Sequence, residues 1–407
     1  MSEREPGSRA GAPPALRARR RLQWKRGAGW VRNLDRLVGI PLVLVVGALR
    51  RGRRPFPRVV RRIGVIRMPT IGDTVLLSGV LRDLREAFPD AELVFFADAH
   101  NAESARLVPA VDRVVVLDLL RPWHSVARLR EFRADVVLDF GGWTRSTALL
   151  AALSGARFTA GFRTAGQWRH FVFDCVVDYL ATRHELENLR ALVSALGVRT
   201  GSAPELVYRR CALPEPLAGL ERYVVFHPWP GGSRKRLKEW PVENWIRLAS
   251  WLRGRGVAVV VTGGPADREP AEALVRACRE AVPGLEVVSA AGVCTLEQCC
   301  NLLEGAEAVV SVDTGIMHLA AAIGARVIGL HGPTAVARWG PVGPRAIGID
   351  SDCPGCGYIH LGFERPRRPP PCMESLPVEK VIAALEASVR PGEGVGRAAE
   401  RGLAAGR

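Results

Sequence analysis

The stretch VVSVDTGIMHLAAAIGARVIGLHGPT, residues 309–334, places apolar runs on both sides of a helical segment. The runs AVVSV (308–312) and RVIGL (326–330) are short and rich in β-branched residues, as in strands buried on both faces of a parallel sheet. Between them, GIMHLAAAIG follows Asp313 and Thr314, residue types that commonly begin a helix. The stretch therefore predicts a strand–helix–strand unit with Asp313 at the carboxyl end of a strand.

The same alternation of strands and helices extends outward from this unit. Strands are predicted at 63–67, 92–97, 113–118 and 134–140, and again at 223–227, 257–263 and 285–290. Apolar strands that alternate with helices indicate a parallel sheet covered on both faces, and two such series indicate two doubly wound domains. The predicted fold class is therefore α/β, with a ligand cleft between the domains at the carboxyl ends of the strands.

We divide the chain into two domains and three flanking or joining segments. The predicted domains are residues 63–210 and 220–389, and a proline-containing linker spans 211–219. A basic arm occupies residues 1–62, and the glycine-rich residues 390–407 are expected to form a disordered tail.

The arm carries nearly all of the chain's excess charge. Residues 1–62 contain 17 Lys and Arg against three acidic residues, which is a net of +14 out of +16 for the whole chain. This indicates an appendage that meets an anionic surface and says little about the cleft. Few aromatic residues are interleaved with its arginines, namely Trp24, Trp30 and Phe56, which argues against nucleic acid as the partner.

Inside the arm, LVGIPLVLVVGAL (37–49) is apolar but shorter than the roughly 20 residues that a spanning helix needs. Arginines follow it where a signal peptide would have a small-residue cleavage site. Two interpretations stay open: an element lying on a membrane surface, or a helix packed on protein.

Several strand ends of the second domain carry glycine turns, hydroxyl groups or cations. Thr262 and Gly263 end one strand, and GGSRKRLKEWP (231–241) follows another with Ser233 and Lys238. Such ends suit a phosphorylated ligand, because backbone amides, a helix dipole and cations all favour an anion. Neither G-x-G-x-x-G nor G-x-x-x-x-G-K-[ST] occurs, which argues against a nicotinamide enzyme or a P-loop ATPase.

In the first domain, the corresponding strand end is RMPTIGDTVLLSG (67–79). Asp73 is expected at the start of a long helix, either as an N-cap or as a carboxylate that accepts a proton from a substrate hydroxyl. Gly72 before it would let a substrate approach closely.

The segments IRMPTIGDTVLLSGVLRDLREAFPDAEL, KEWPVENWIRLASWL, VVSVDTGIMHLAAAIG and GPTAVARWGP together resemble glycosyltransferase family 9, the ADP-heptose:lipopolysaccharide heptosyltransferases. The resemblance covers roughly residues 63–389. It implies the two-domain GT-B fold, inversion at the anomeric carbon, and catalysis with no metal and no cofactor.

The resemblance also implies roles for individual residues. By motif, Asp73 is the general base, Lys238 binds the donor diphosphate, and Asp313 holds sugar hydroxyls. Further substrate contacts are expected from the following residues: Gly72, Ser233, Thr262, Gly263, Glu269, Thr314, Gly315 and His318.

The partners implied are a nucleotide-sugar donor, with an ADP-sugar as the family default, a glycolipid acceptor and an anionic membrane surface. We expect peripheral attachment at the inner face of the cytoplasmic membrane, with residues 1–62 dispensable for donor binding. Other interpretations remain: a different nucleotide sugar, a non-catalytic sugar-nucleotide-binding scaffold, or a hydrolase or epimerase on the same fold.

Nine cysteines without a secretory signal indicate a reducing compartment. Six are expected to be core thiols: Cys175, Cys211, Cys278, Cys294, Cys299 and Cys300. The other three, Cys353, Cys356 and Cys372, are either loose thiols in a loop or ligands of a structural zinc ion with His360 as the fourth ligand.

Overall fold

The computed structural model describes residues 29–50, 52–231, 235–361 and 369–388. The first sheet consists of six parallel strands in the order β3-β2-β1-β4-β5-β6. These strands are β1 (Arg62–Ile66), β2 (Glu92–Ala97), β3 (Arg113–Val116), β4 (Val136–Asp139), β5 (Phe158–Arg163) and β6 (Cys175–Asp178).

The second sheet also has six parallel strands, in the order β12-β11-β10-β7-β8-β9. These strands are β7 (Tyr223–His227), β8 (Ala258–Val261), β9 (Val287–Ser289), β10 (Ala308–Val312), β11 (Val327–His331) and β12 (Ala346–Asp350). Each sheet starts its chain path in the centre, runs to one edge and then crosses to the other side. The two sheets therefore have the same doubly wound topology, which confirms the predicted α/β fold class.

The helices of the first part of the chain are α1 (Gly29–Leu49), α2 (Ile71–Ala87), α3 (Ala102–Arg106), α4 (Pro122–Phe132), α5 (Arg145–Leu153) and α6 (Glu185–Ser194). Those of the second part are α7 (Val242–Arg253), α8 (Arg268–Ala281), α9 (Leu296–Gly305), α10 (Gly315–Ala322), α11 (Val336–Trp339) and α12 (Val378–Ser388).

In each sheet the order in which the chain adds strands reverses at the two central strands, although all strands stay parallel. β1 pairs with β4, and β7 pairs with β10. A ligand crevice forms outside the carboxyl ends of the strands at such a switch point. The residues that follow β1 and β10 include Asp73 and Asp313, so both predicted acids lie at a switch point.

Three strands were not predicted from the sequence. β5, β6 and β12 carry threonine, glycine, cysteine or aspartate within short segments, so they lack a continuous apolar run. β6 and β12 lie at sheet edges, where only one neighbour stabilises the strand and apolar character is less necessary.

The two domains share apolar contacts as well as a covalent connection. One continuous core includes Leu76 and Val80 of α2 together with Met317 and Ala320 of α10. Burial of such side chains contributes roughly 25 cal/mol per Å² of apolar surface. The N-terminal ends of α2 and α10 are therefore held beside each other by packing that continues along both helices.

The connection between α6 and β7 runs over the surface of the second domain. Tyr208 donates a hydrogen bond to Glu304 of α9 at 2.6 Å, and Asn301 of α9 donates to the carbonyl of Arg209 at 2.8 Å. Cys211 lies on this segment and is exposed. The expectation that Cys211 is a core thiol is wrong, because its segment covers a helix and does not enter the core.

The arm is not a separate appendage over its described part. Helix α1 extends over 21 residues and packs on α5. Val43 is fully buried, and a Cβ on Gly47 would lie 2.7 Å from the carbonyl oxygen of Phe171, so α1 sits close to the body. Asp35 accepts hydrogen bonds from the backbone amide of Arg145 at 3.1 Å and from its guanidinium at 2.7 Å, at the N-terminus of α5.

Two arginines after α1 also bind the body. Arg50 and Arg54 form ion pairs with the buried Asp174 at 3.0 and 2.8 Å. These guanidiniums are therefore engaged by the protein itself, so not all of the arm's positive charge is available to an outside partner. Within the described ranges, no helix has both the length and the apolar character needed to cross a bilayer.

Candidate functional site

Asp73 lies in the first turn of α2, at the carboxyl end of β1. Thr70, not Asp73, occupies the N-cap position, and Asp73 is the third residue of the helix. The N-cap interpretation of Asp73 is therefore wrong. The Thr70 hydroxyl donates to the Asp73 carboxylate, and Arg67 Nη2 lies 2.7 Å from Asp73 Oδ2. These two contacts hold the carboxylate in one orientation.

Arg67 joins Asp73 to a group of buried polar side chains that we call the interdomain cluster: Arg67, Asp73, Tyr179, Glu185 and Arg338. Glu185 is fully buried and accepts from Arg67 Nη2 at 2.9 Å, from the Tyr179 hydroxyl at 2.5 Å and from Arg338 Nη2 at 2.7 Å. Because Arg338 belongs to α11, the cluster links the second domain to the Asp73 side of the first.

The charges of the interdomain cluster compensate one another. Burial alone would lower the pKa of Arg67, but the Asp73 and Glu185 carboxylates outweigh it and raise that pKa above its ordinary value. Burial would also lower the pKa of Arg338, but Glu185 and Tyr179 together outweigh burial and raise that pKa. Burial and the neighbouring Glu185 carboxylate raise the pKa of Tyr179. The two guanidiniums therefore stay charged, and the phenol stays a hydrogen-bond donor.

Asp313 follows β10 and pairs with Lys238. Lys238 Nζ donates to the Asp313 carbonyl oxygen at 3.1 Å and lies 3.3 Å from the Asp313 carboxylate. Burial would raise the pKa of Asp313, but Lys238, His331 and His318 together outweigh burial and lower that pKa. Two residues after Lys238, the Trp240 indole is buried and donates to the Leu376 carbonyl at 2.8 Å, which fixes the segment that carries the lysine.

The first turn of α10 lies directly against the first turn of α2. Thr314 caps α10, and its hydroxyl accepts from the Ile316 amide at 3.1 Å. A Cβ on Gly315 would lie 3.1 Å from the Gly72 amide nitrogen, and a Cβ on Gly72 would lie 2.8 Å from His318 Cδ2. The Cβ position of Gly72 is therefore occupied by α10, and the expectation that this glycine contacts a substrate stays a prediction. Both glycines allow the two helices to begin side by side.

His318 is buried on α10, and its Nδ1 has no hydrogen-bond partner among the residues that the structure describes. Burial lowers its pKa to about 4, although the nearby Asp313 and Asp73 carboxylates act in the opposite direction. At neutral pH the imidazole is therefore uncharged, and it fills the space beside Gly72 instead of acting as a cation.

This buried histidine predicts a loss of stability in acid. The unfolded pKa of histidine is about 6.5, so the unfolded chain binds more protons than the folded one between about pH 6.5 and pH 4. The free energy of unfolding is therefore unaffected by this histidine above that pH window. It falls as the pH decreases through the window, by at most about 3 kcal/mol. In His318→Gln, urea midpoints measured from pH 7 to pH 4 should fall less steeply than in the wild type. The exposed His124→Gln is the control, and equal slopes in all three proteins would contradict the prediction.

Other residues predicted to contact the substrate lie outside the contact between α2 and α10. Thr262 is buried, and its hydroxyl bonds to His227 Nδ1 at 2.9 Å, so it is engaged within the protein. Gly263 lies against the ring of Trp229, and Glu269 is exposed in the first turn of α8. Ser233 lies outside the described residues, as does the predicted tail 390–407.

The sequence analysis did not identify four residues of this region: Arg67, Glu185, His331 and Arg338. Arg67 and Arg338 lie within motifs that carried the family resemblance, so a charged residue inside each motif was the available signal. Glu185 had no such signal. His331 ends β11, and burial lowers its pKa while the nearby Asp313 carboxylate opposes this effect.

Two doubly wound sheets of identical topology, with the candidate site at their switch points, have the architecture of the GT-B fold. The family model described as glycosyltransferase family 9 (heptosyltransferase) matches residues 123–356, more than half of the chain. The protein belongs to this family.

Individual relatives agree with this assignment. The chain is 27% identical over 365 residues to lipopolysaccharide heptosyltransferase 1 of Pseudomonas aeruginosa, covering 80% of this chain and 97% of that protein. The structure of E. coli ADP-heptose lipopolysaccharide heptosyltransferase II aligns with a TM-score of 0.65 at 22% identity, covering 80% of this chain and 98% of that one. An E. coli heptosyltransferase solved with ADP aligns with a TM-score of 0.60 at 22% identity, covering 81% and 100%. The structural likenesses confirm the fold.

Proposed function

We propose that this glycosyltransferase moves a heptose from ADP-heptose to a lipopolysaccharide core or a related glycolipid, with inversion and without a catalytic metal. The observation that carries the proposal is the meeting of α2 and α10, which brings the Asp73 turn of one domain beside the Asp313 turn of the other. The names of the relatives support the donor and the acceptor class.

The proposed reaction is a direct displacement. The Asp73 carboxylate accepts the proton of the acceptor hydroxyl while that oxygen attacks the anomeric carbon, and the nucleoside diphosphate leaves from the opposite face. Lys238 and the amides at the start of α10 meet the charge that develops on the leaving diphosphate, which is typically worth a few kcal/mol. Asp313, held by Lys238, accepts hydrogen bonds from hydroxyl groups of the sugar.

The donor is tested by thermal unfolding with a panel of nucleotide sugars. We expect ADP-heptose to raise the unfolding temperature more than the other nucleotide sugars, because the tightest ligand stabilises most at equal concentration. A ligand present at 100 times its Kd stabilises the folded protein by about 2.7 kcal/mol. The anomeric configuration of the product, determined by NMR, then tests inversion. Preferential stabilisation by a UDP-sugar would contradict the proposed donor. Release of free sugar without any acceptor would favour a hydrolase.

We further propose that the outer face of α1 contacts the anionic membrane that contains the acceptor. Opposite its buried face, α1 exposes large apolar side chains, which a protein rarely leaves uncovered in a continuous patch. These residues are Leu37, Val38, Leu42, Leu44, Val45 and Leu49. The residues of the arm that precede α1 add positive charge, which anionic lipids attract.

Substitution on this face tests the contact more sharply than deletion of residues 1–62, since deletion also removes the packing of Val43 and Asp35. Leu42→Asp combined with Val45→Asp should weaken binding to phosphatidylglycerol-containing vesicles on the order of 10- to 100-fold, because two apolar side chains no longer insert. ADP-sugar affinity should stay unchanged. Val207→Asp, at an exposed apolar residue away from α1, is the control. Unaltered vesicle sedimentation of the double variant would show that α1 is not the contact.

A further inference from the structure

Three cysteines of the second domain converge on one point, although they come from two separate segments. Cys353 and Cys356 follow β12, and Cys372 precedes α12. Their Sγ atoms all lie within 4.8 Å of one another. The thiols are not joined by disulfides. We propose that these cysteines bind one thiophilic divalent cation, of which Zn²⁺ is the first candidate, at a site distinct from the reacting groups.

The spacing of the sulfur atoms fits such an ion. Tetrahedral zinc with Zn–S distances of about 2.3 Å holds its sulfur ligands about 3.8 Å apart, so the three atoms need to move by less than about 1 Å. Cysteine thiolates are soft ligands, which select zinc or iron over magnesium and calcium. Each thiol gives up its proton to solvent on binding, so the protein supplies three thiolates to the cation.

The backbone around Cys356 has the form of a tight metal-binding turn. The Cys356 amide donates to the Cys353 carbonyl at 3.3 Å, which closes the C-x-x-C turn. Gly355 and Gly357 have φ angles of +81° and +76°, a left-handed conformation that suits glycine and that side chains rarely adopt. Ser351 Oγ lies 2.8 Å from Cys356 Sγ and can donate a hydrogen bond to its thiolate.

The coordination is incomplete within the described part of the chain. His360, the fourth ligand expected from the sequence, is not a member of the group in which the three thiols meet. Cys353 and Cys356 are partly exposed, while Cys372 is buried. A water molecule can therefore complete a tetrahedron on the exposed side. This arrangement differs from the four-cysteine sites that are closed to solvent.

The site would also tie the cysteine segment to the loop after β11. The Gly357 amide donates to the Gly332 carbonyl at 2.8 Å, and the Ile359 amide donates to the Pro333 carbonyl at 2.8 Å. A Cβ on Gly332 would lie 2.8 Å from Cys372 Cβ, so the loop and the cysteines are in direct contact. This loop follows His331, beside Asp313. The bound cation would therefore stiffen one wall of the proposed donor site, a consequence that rests on the proposed function.

Metal content is the first measurement. The full-length protein, purified in reducing buffer without chelator and then incubated with Zn²⁺ and desalted, should retain about one ion per chain by elemental mass spectrometry. Cobalt substitution should give the intense visible absorption of tetrahedral cobalt thiolate. Removal of the ion with a strong chelator should increase the number of thiols that react with a disulfide reagent and should lower the unfolding temperature.

Variants assign the ion to these residues. Cys353→Ser, at a partly exposed position, should abolish stoichiometric retention, and Ser351→Ala should weaken zinc affinity roughly 10- to 100-fold. Cys211→Ser, which removes the exposed thiol of the interdomain connection, is the matched control and should retain the ion. Cys372→Ser is a second ligand variant, and its interpretation requires a native circular dichroism spectrum.

Three results would overturn the proposal: no retained ion in the reconstituted wild type, retention by Cys353→Ser equal to that of Cys211→Ser, or a Cys353–Cys356 disulfide in protein kept under reducing conditions. None of these readouts depends on catalysis. A protein that binds zinc but not ADP-heptose would refute the proposed donor and leave the metal site standing. If both proposals hold, the chelated protein should show a raised KM for the donor that added zinc restores.

Discussion

Replacement of Asp73 by asparagine should reduce turnover by about 10²- to 10⁴-fold, the range that a positioned general base contributes. An amide has nearly the same shape as a carboxylate but cannot take the proton of an attacking hydroxyl. The acceptor oxygen would then have to attack before losing its proton. The effect should appear in kcat, since the base acts in the transition state and not in donor binding.

The structure indicates that this variant will fold. Asp73 is partly exposed, and Arg67 keeps its second partner, Glu185, when Asp73 becomes neutral. Initial rates with ADP-heptose and a purified acceptor, together with donor affinity from calorimetry, separate the chemical step from binding. Glu86→Gln, at an exposed carboxylate near the other end of α2, is the control and should be fully active. Near-normal kcat in Asp73→Asn would remove Asp73 as the base.

The second large effect is expected at Glu185. Glu185→Gln would remove one of the two carboxylates of the interdomain cluster and leave Arg338 without the carboxylate that pairs with it. An uncompensated buried charge typically costs 3–5 kcal/mol. We therefore expect a fall of about that size in the free energy of unfolding, measured by urea titration, together with a loss of kcat because Arg67 no longer has a fixed position beside Asp73.

Two comparisons make this expectation specific. Glu187→Gln lies on the same helix but at an exposed ion pair with Arg190, so its effect should stay within about 1 kcal/mol. The double variant Glu185→Gln, Arg338→Met removes one negative and one positive charge and should regain part of the lost stability. The expectation is contradicted if Glu185→Gln is as stable as Glu187→Gln, or if the stability effects of the two substitutions simply add in the double variant. Either result would show that the charge balance of the cluster does not determine stability.

The sequence by itself determined the repeated strand–helix pattern and the placement of Asp73 and Asp313 after strands. Both follow from local signals, since the apolar runs of β1 and β10 and the helix-starting residues after them are short-range patterns. The edge strands β6 and β12 were not predicted, because a strand with one neighbour does not need a continuous apolar run.

For α1 the sequence supplied an apolar segment but not its orientation. Gly39, Val43 and Gly47 recur every four residues and form the face that packs on the body. The large apolar residues lie on the other sides of the helix, which is the reverse of an ordinary surface helix. Whether small or large residues face inward depends on the shape of the surface that receives the helix, and that surface is built by α5 and the turn at Arg169–Val172.

Only the tertiary structure decided the interdomain cluster and the contact between the helix starts. Glu185 meets Arg67 across 118 residues of sequence and Arg338 across 153. Gly72 and Gly315 approach each other because the cores of the two domains merge along α2 and α10. A local pattern specifies which face of an element is apolar, but it contains no information about which distant element covers that face. Charged residues whose partners lie in the other domain therefore become recognisable only when the domains are packed together.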